Sequence, residues 1–477
     1  MRRSVAAAVL VAVLLVVAGS VYIVGPQLTK GTGGSSGPTT SVSVSSGLST
    51  SAQSATSGGA SAQDWTTYHA DNSRTGYLPV SNFTTVTAGW TSPALDGDIY
   101  GEPLVFRGDV FVATENNSVY ALDGTTGSIL WQRNLGPPVV ANTLPCGDIG
   151  PVTGITGTPV IDPSTGTIYV VTFSEMHHTM WGLNVSTGSV VLQRAADPPG
   201  FNDSTEQQRT ALTLANGVVY FGYGGLAGDC GIYTGWVVGL TENGTGPILY
   251  YRLPSENGGG IWATSGFAVD QSGNLYVATG NTASTTTYDF GEAVLKLSPK
   301  LSMEQYFAPT NWVIMNQDDA DIDSVGPAIV GPNLLFQIGK PGVGFLLNSS
   351  QLGGIGGQAF ESNVCDEAFG GTAFVNPDVF VPCINGLFKL DVTIANDTFS
   401  TALVVSGLDA GPPIVTGGVV WTVDTNTATL YGLSAATGWQ AHTFSLGSVV
   451  HFTTPAAGDG QVFVATRNKV VSFVLGA

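Results

Sequence analysis

A chain of 477 residues is long enough for two or three ordinary domains or for one large repeat array. Charged residues make up only 10% and Gly numbers 64, a balance that excludes a protein of long amphipathic helices and points to an all-β chain with many tight turns. The formal net charge of −19, with 15 Lys and Arg, excludes a surface built to grip a phosphate backbone, so no nucleic-acid partner is expected.

The first element in chain order is an apolar run from Val5 to Ile23, preceded by Arg2 and Arg3 and followed by Pro26. Charge at the start of such a run orients it for export, so residues 1–30 are expected to be a signal peptide or an uncleaved transmembrane signal anchor. At roughly twenty residues the run can cross a bilayer, which favours the anchor, while Ala18, Gly19 and Ser20 leave cleavage open. The remainder is then expected on the extracytoplasmic side of the cell membrane, periplasmic or extracellular. Residues 31–63 are almost wholly Gly, Ser, Thr and Ala, too poor in large apolar groups to offset the entropy of folding, and read as a flexible linker. Asn-x-Ser/Thr triplets at Asn82, Asn116, Asn184, Asn202, Asn243, Asn348 and Asn396 are potential glycan sites.

From residue 64 to 477 one order of elements recurs at a period of about fifty residues, the signature of a propeller. A short strand containing a small residue or Pro opens each unit, as at Glu102-Pro103-Leu104-Val105. An alternating apolar strand follows (Val110 to Thr114), then a third strand with a Gly turn (Val119 to Gly127) and a fourth carrying Trp131. The second strand returns at Ile168, Val218, Leu275, Leu334, Val379, Val419 and Val462, which with Val110 predicts eight four-stranded antiparallel blades. The last unit stops after a third strand, Val470 to Val474. We therefore expect Val86 to Thr91 to supply its fourth strand and close the ring, leaving no open sheet edge.

Four cysteines in an exported chain favour two disulfides over metal ligation. Three connectivities are open; Cys365 with Cys383 and Cys146 with Cys230 is preferred, because the first two share a repeat and the others lie near corresponding loop ends of adjacent repeats.

The motifs Asp64-Trp65-Thr66-Thr67-Tyr68 with Arg74-Thr75-Gly76, and Tyr120-Ala121-Leu122-Asp123 through Gly127 and Trp131, resemble those of the pyrroloquinoline-quinone (PQQ) repeat, quinoprotein alcohol dehydrogenase-like propellers. That family includes both enzymes and non-enzymatic outer-membrane assembly scaffolds, so the resemblance implies a fold and leaves chemistry open. In its enzymes a calcium ion and the quinone sit on the axis. By resemblance, Gly258-Gly259-Gly260-Ile261-Trp262 would place Trp262 beneath the cofactor, Asp229 and Asn281 would bind the metal, and Asp321 or Asp323 would be the catalytic base. Hard oxygen ligands suit Ca²⁺, which makes a quinone carbonyl more electrophilic while an Asp accepts the alcohol proton. Against activity, the adjacent cysteines of the alcohol dehydrogenases are missing, no Arg matches the one that contacts the quinone oxygens, and no Cys-x-x-Cys-His haem site occurs.

Each residue also has a structural reading. Trp262 suits blade packing, Asn281 suits a turn, and Asp318 to Asp323 suits a solvated acidic loop. His177 and His178 show no matching carboxylate or second His pair at ligand spacing and read as loop residues. The leading expectation is a membrane-tethered, non-catalytic binding or scaffolding propeller with a protein or carbohydrate ligand. The alternative is a PQQ- and calcium-dependent alcohol or sugar dehydrogenase using an external electron acceptor. A carbohydrate-binding role through an exposed aromatic loop, Tyr233 to Trp236, is a third expectation.

Overall fold

The computed structural model describes residues 63–476. The signal or anchor segment and all but the last residue of the linker lie outside the described residues, and no helix among those described is long and apolar enough to cross a membrane. The described chain is an eight-bladed propeller. Blade 1 comprises Leu104–Phe106, Asp109–Thr114, Ser118–Asp123 and Ile129–Asn134, from the axis outward. The expected second strands recur in order as Thr167–Ser174, Val218–Gly225, Leu275–Thr279, Leu334–Gln337, Asp378–Cys383, Val419–Asp424 and Gln461–Thr466. They are buried almost throughout, while the fourth strands, such as Ile129–Asn134 and Gln440–Ser445, are largely exposed. Continuous apolar runs thus mark the middle of each blade, and Trp131 and Trp90 pack the outer strands against the neighbouring blade's Gly turn at Gly188 and Gly127.

Ring closure is as expected. Thr85–Thr91 pairs antiparallel with Lys469–Gly476, completing blade 8. Both disulfides of the preferred pairing form, Cys146–Cys230 and Cys365–Cys383. Asn184, Asn202, Asn243 and Asn348 each accept, through Oδ1, the N–H two residues on, so turn chemistry alone accounts for these four triplets.

The motif around Trp65 and Arg74 has a position the sequence did not reveal. Residues 64–78 cross the axis at the end where first strands turn into second strands. Trp65 exchanges backbone hydrogen bonds with Val105 of blade 1, and Thr66, Asn72, Ser73, Thr75 and Gly76 accept from Ile161, Val269, Ile329, Phe374 and Val415 of blades 2, 4, 5, 6 and 7. The Asn72 amide donates to Leu214 O in blade 3. Buried Arg74 ties the crossing together, donating to Thr67 Oγ1, Tyr68 O and Thr213 Oγ1. One end of the axis is therefore plugged by the chain itself.

Candidate functional site

The opposite end of the axis, where second strands turn into third strands and where each first strand begins, encloses a cavity of about 300 Å³. Asp229, Trp262, Asn281 and Asp321 all line it, so four of the five site residues expected from the sequence converge there. Asp323, fully buried at 0% exposure, sits immediately behind, its Oδ2 accepting the Trp262 N–H at 3.1 Å.

Each residue is delivered by the same loop geometry. Asp229 and Asn281 occupy the turns after the second strands of blades 3 and 4. Trp262 follows the Gly258-Gly259-Gly260 run, whose first two residues have φ of 84° and 76°; a side chain at Gly258 would strike Asn281 O at 2.6 Å. Asp321 and Asp323 follow a seven-residue helix, Trp312–Asp318, whose last residue begins the acidic cluster expected as a loop. That helix separates the cluster into two kinds of residue: Asp318 and Asp319 are exposed, Asp321 and Asp323 buried.

The sequence missed two cations of the cavity. Lys340 stands in the turn after the second strand of blade 5, the position that Asp229 and Asn281 hold in their blades, and that repeat register is the signal that could have found it. Its ammonium donates to Asp321 at 2.6 Å and Asp319 at 3.0 Å and lies 5.7 Å from the centre of the Trp262 ring. Arg209 stacks over Phe452 at 4.9 Å, and its buried Nε and Nη2 have no hydrogen-bond partner. His451, Asp148 and Gln207 complete this side. The Cys146–Cys230 bridge joins the loop bearing Asp148 to the loop bearing Asp229, so a disulfide does border the cavity, spanning two loops rather than adjacent residues. Tyr233 donates to Asp229 Oδ1 at 2.6 Å. Trp236 is 1% exposed and Tyr233 is buried, which overturns the expectation of an exposed aromatic sugar-binding loop: both rings serve the blade interior and the cavity wall.

Acidic groups outnumber cations behind Trp262. Burial pushes the Asp323 carboxyl well above the usual range, and the charge of Asp321 adds to the effect. Asp321 is raised by burial although Lys340 pulls the other way. Glu292 lies further in, raised by burial and by Asp321; its Oε2 accepts the Ile322 N–H. Asp323 Oδ1 and Glu292 Oε1 are buried without a partner. Such orphaned oxygens are costly unless a ligand or ion meets them.

The residues fit the PQQ and calcium that the resemblance implies. Asp321 and Asn281 offer hard oxygens, with Asp323 behind them, Trp262 offers a flat apolar face, and Arg209 and Lys340 offer charge to carboxylates of a planar acid. Gly280 keeps the floor open, since a Cβ there would lie 2.8 Å from Asp321 Oδ1 and 3.0 Å from Asp323 Oδ1.

Residues 46–228 match the family described as outer membrane protein assembly factor BamB. No curated protein matches the chain. Among solved structures, the quinohemoprotein alcohol dehydrogenase from Comamonas testosteroni is 15% identical with a TM-score of 0.67, over 87% of this chain and 81% of that one. A europium-containing methanol dehydrogenase is 13% identical with a TM-score of 0.67, over 87% and 98%. BamB from Moraxella catarrhalis is 12% identical with a TM-score of 0.53, over 82% and 98%. Identities this low speak to fold alone, and the fold they share with this chain agrees with the blade signatures: the chain is an eight-bladed β-propeller, of which residues 46–228 match that family.

Proposed function

We propose that this protein is a PQQ- and calcium-dependent dehydrogenase of an alcohol or sugar. The observation that carries the reading is the convergence of Asp229, Trp262, Asn281 and Asp321 on one axial cavity, with Asp323 behind it. Convergence favours the alternative of the two sequence expectations over the non-catalytic module, for which dispersed residues would have sufficed. When bound, the quinone and its cation supply an electrophilic carbonyl that accepts two electrons. The chain's own residues position and protonate. Trp262 holds a planar ring, Arg209 and Lys340 bind carboxylates, and Asp321, which lines the cavity, accepts the substrate hydroxyl proton. Asp323 fixes the backbone of Trp262.

Two disulfides support an oxidising compartment, and with the N-terminal apolar run they support a membrane-tethered, extracytoplasmic location. An external electron acceptor would be the partner.

The non-catalytic binding module remains the second reading, on a specific observation. Lys340 already bonds Asp321 and Asp319, and among the described residues no three His, Cys, Asp or Glu ligands of the cavity lie within 4.8 Å of one another. Titration with PQQ and Ca²⁺, followed by Trp fluorescence, separates the two. The dehydrogenase requires saturable, calcium-dependent binding that Trp262→Ala and Asn281→Ala abolish. No binding at high micromolar PQQ would return the function to the binding module.

A further inference from the structure

Away from the axial cavity, the structure reverses the sequence reading of His177 and His178, for it gives both of them carboxylate partners. His177 opens the third strand of blade 2, directly after the hairpin turn Glu175–Met176. Asp197 and Asp203 come from the connection between blade 2 and blade 3. His177 Nδ1 lies 3.5 Å from Asp197 Oδ2 and 3.6 Å from Asp203 Oδ2. Among the described residues this is the only trio of His, Cys, Asp or Glu ligand atoms that all lie within 4.8 Å of one another.

The spacing is that of a coordination polyhedron. Ligands at roughly 2.0–2.2 Å from a tetrahedral ion stand about 3.3–3.6 Å apart, the separation seen here from His177 to each carboxylate. Each Asp presents Oδ2 to His177 and Oδ1 to His178, whose Nδ1 is 3.1 Å from Asp197 Oδ1 and 3.7 Å from Asp203 Oδ1. His178 is 1% exposed, stacked on Phe173 at 4.4 Å and edge-on to Tyr223 at 4.9 Å, and its backbone N–H also donates to Asp197. A buried imidazole that hydrogen-bonds a ligand carboxylate from behind, as His178 does Asp197, is an arrangement that holds metal ligands in register. Asp203 Oδ1, which faces the His178 ring at 3.7 Å, is buried with no hydrogen-bond partner, so no hydrogen bond at that oxygen fixes the carboxylate.

We propose that His177, Asp197 and Asp203 form a site for a divalent transition ion of the zinc class, with water at the fourth position and His178 as the residue that positions the Asp197 carboxylate. Imidazole selects against calcium and magnesium and suits zinc, cobalt, nickel and copper. His177 is 71% exposed, so the ion is reached directly from solvent. The site stands apart from the axial reading and does not depend on it.

The test is a titration of the purified full chain with Co²⁺, read by its visible absorption and by displacement with Zn²⁺. We expect one equivalent of Co²⁺ with a tetrahedral spectrum, displaced by Zn²⁺ and unmoved by excess Ca²⁺. His177→Ala and Asp203→Asn should each abolish the spectrum while the melting curve stays cooperative, and Asn281→Ala should leave it intact. His178→Phe should weaken binding about 10–100-fold, as loss of an orienting partner does. No saturable spectrum, displacement by Ca²⁺, or Co²⁺ binding undiminished in folded His177→Ala or Asp203→Asn would overturn the assignment.

Discussion

Two arginines stand on the axis of this propeller, one largely bonded to the chain and the other not. Arg74, in the plugged end, donates to two hydroxyls and two carbonyls, with only Nε left unpartnered. Arg209, at the cavity end, buries Nε and Nη2 with no hydrogen-bond partner. The fold commits most donors of the plug arginine to its own chain, and leaves Nε and Nη2 of the cavity arginine to something from outside. A buried, unmatched guanidinium lowers stability, so retaining one is informative about use.

Breaking the plug should have the largest effect. Arg74→Gln removes the bond that joins the crossing segment to Thr213 of blade 3 and those that brace the segment itself, and leaves buried acceptors unmatched, an expected loss of about 3 kcal/mol or more in urea unfolding. A smaller loss would mean that the segment is held by its backbone alone. Next comes the cavity floor. Gly280→Ala forces the Asp321 and Asp323 carboxylates aside, with an expected stability cost of about 1–3 kcal/mol and loss of PQQ-dependent fluorescence quenching. Binding that survives would show that those carboxylates do not face the ligand.

The ends should also differ in their response to pH. Burial pushes Glu115, beside the cavity, up to about 7 against the opposing Gly154 N–H, whereas burial lowers His69 of the plug to about 3 and holds Glu102 well above its ordinary range. A folded-state pKa raised for a carboxyl means that its stabilisation is complete below the unfolded value and is lost as pH rises through the folded one. Stability should therefore decline between pH 4.5 and about 7 through Glu115, and Glu115→Gln should flatten that part of the profile. An unchanged slope would assign it to another group. The smallest effect is expected for Arg209→Gln. Its melting temperature should match or slightly exceed that of the native chain, because no hydrogen bond of Nε or Nη2 is lost.

The ring was legible in the sequence because its determinants are local. Alternating strands, Gly turns and the unpaired last strand gave eight blades, the closing strand and both disulfides. The site was legible wherever a residue sat in a recognisable run, as Trp262 does after three glycines. It was not legible where residues meet only through the ring: Lys340, Arg209, and the approach of Asp197 and Asp203 to His177 all depend on loop paths that no short-range pattern encodes. Trp236 shows the reverse error. An aromatic in a loop-like stretch read as exposed, but it begins a third strand and fills the interior.

Ring closure joins Thr85–Thr91 to Lys469–Gly476, and the plug gathers backbone bonds from blades spread along almost the whole chain. Neither feature can form from a partial chain. Assembly is thus governed by contacts of very long sequence separation, which is slow, and a nascent or truncated product remains an open arc with a bare strand edge at either end. Such an arc is a substrate for edge-to-edge association, so the last eight-residue strand acts as a timing device: until it pairs, the molecule has neither a sealed rim nor an assembled axis.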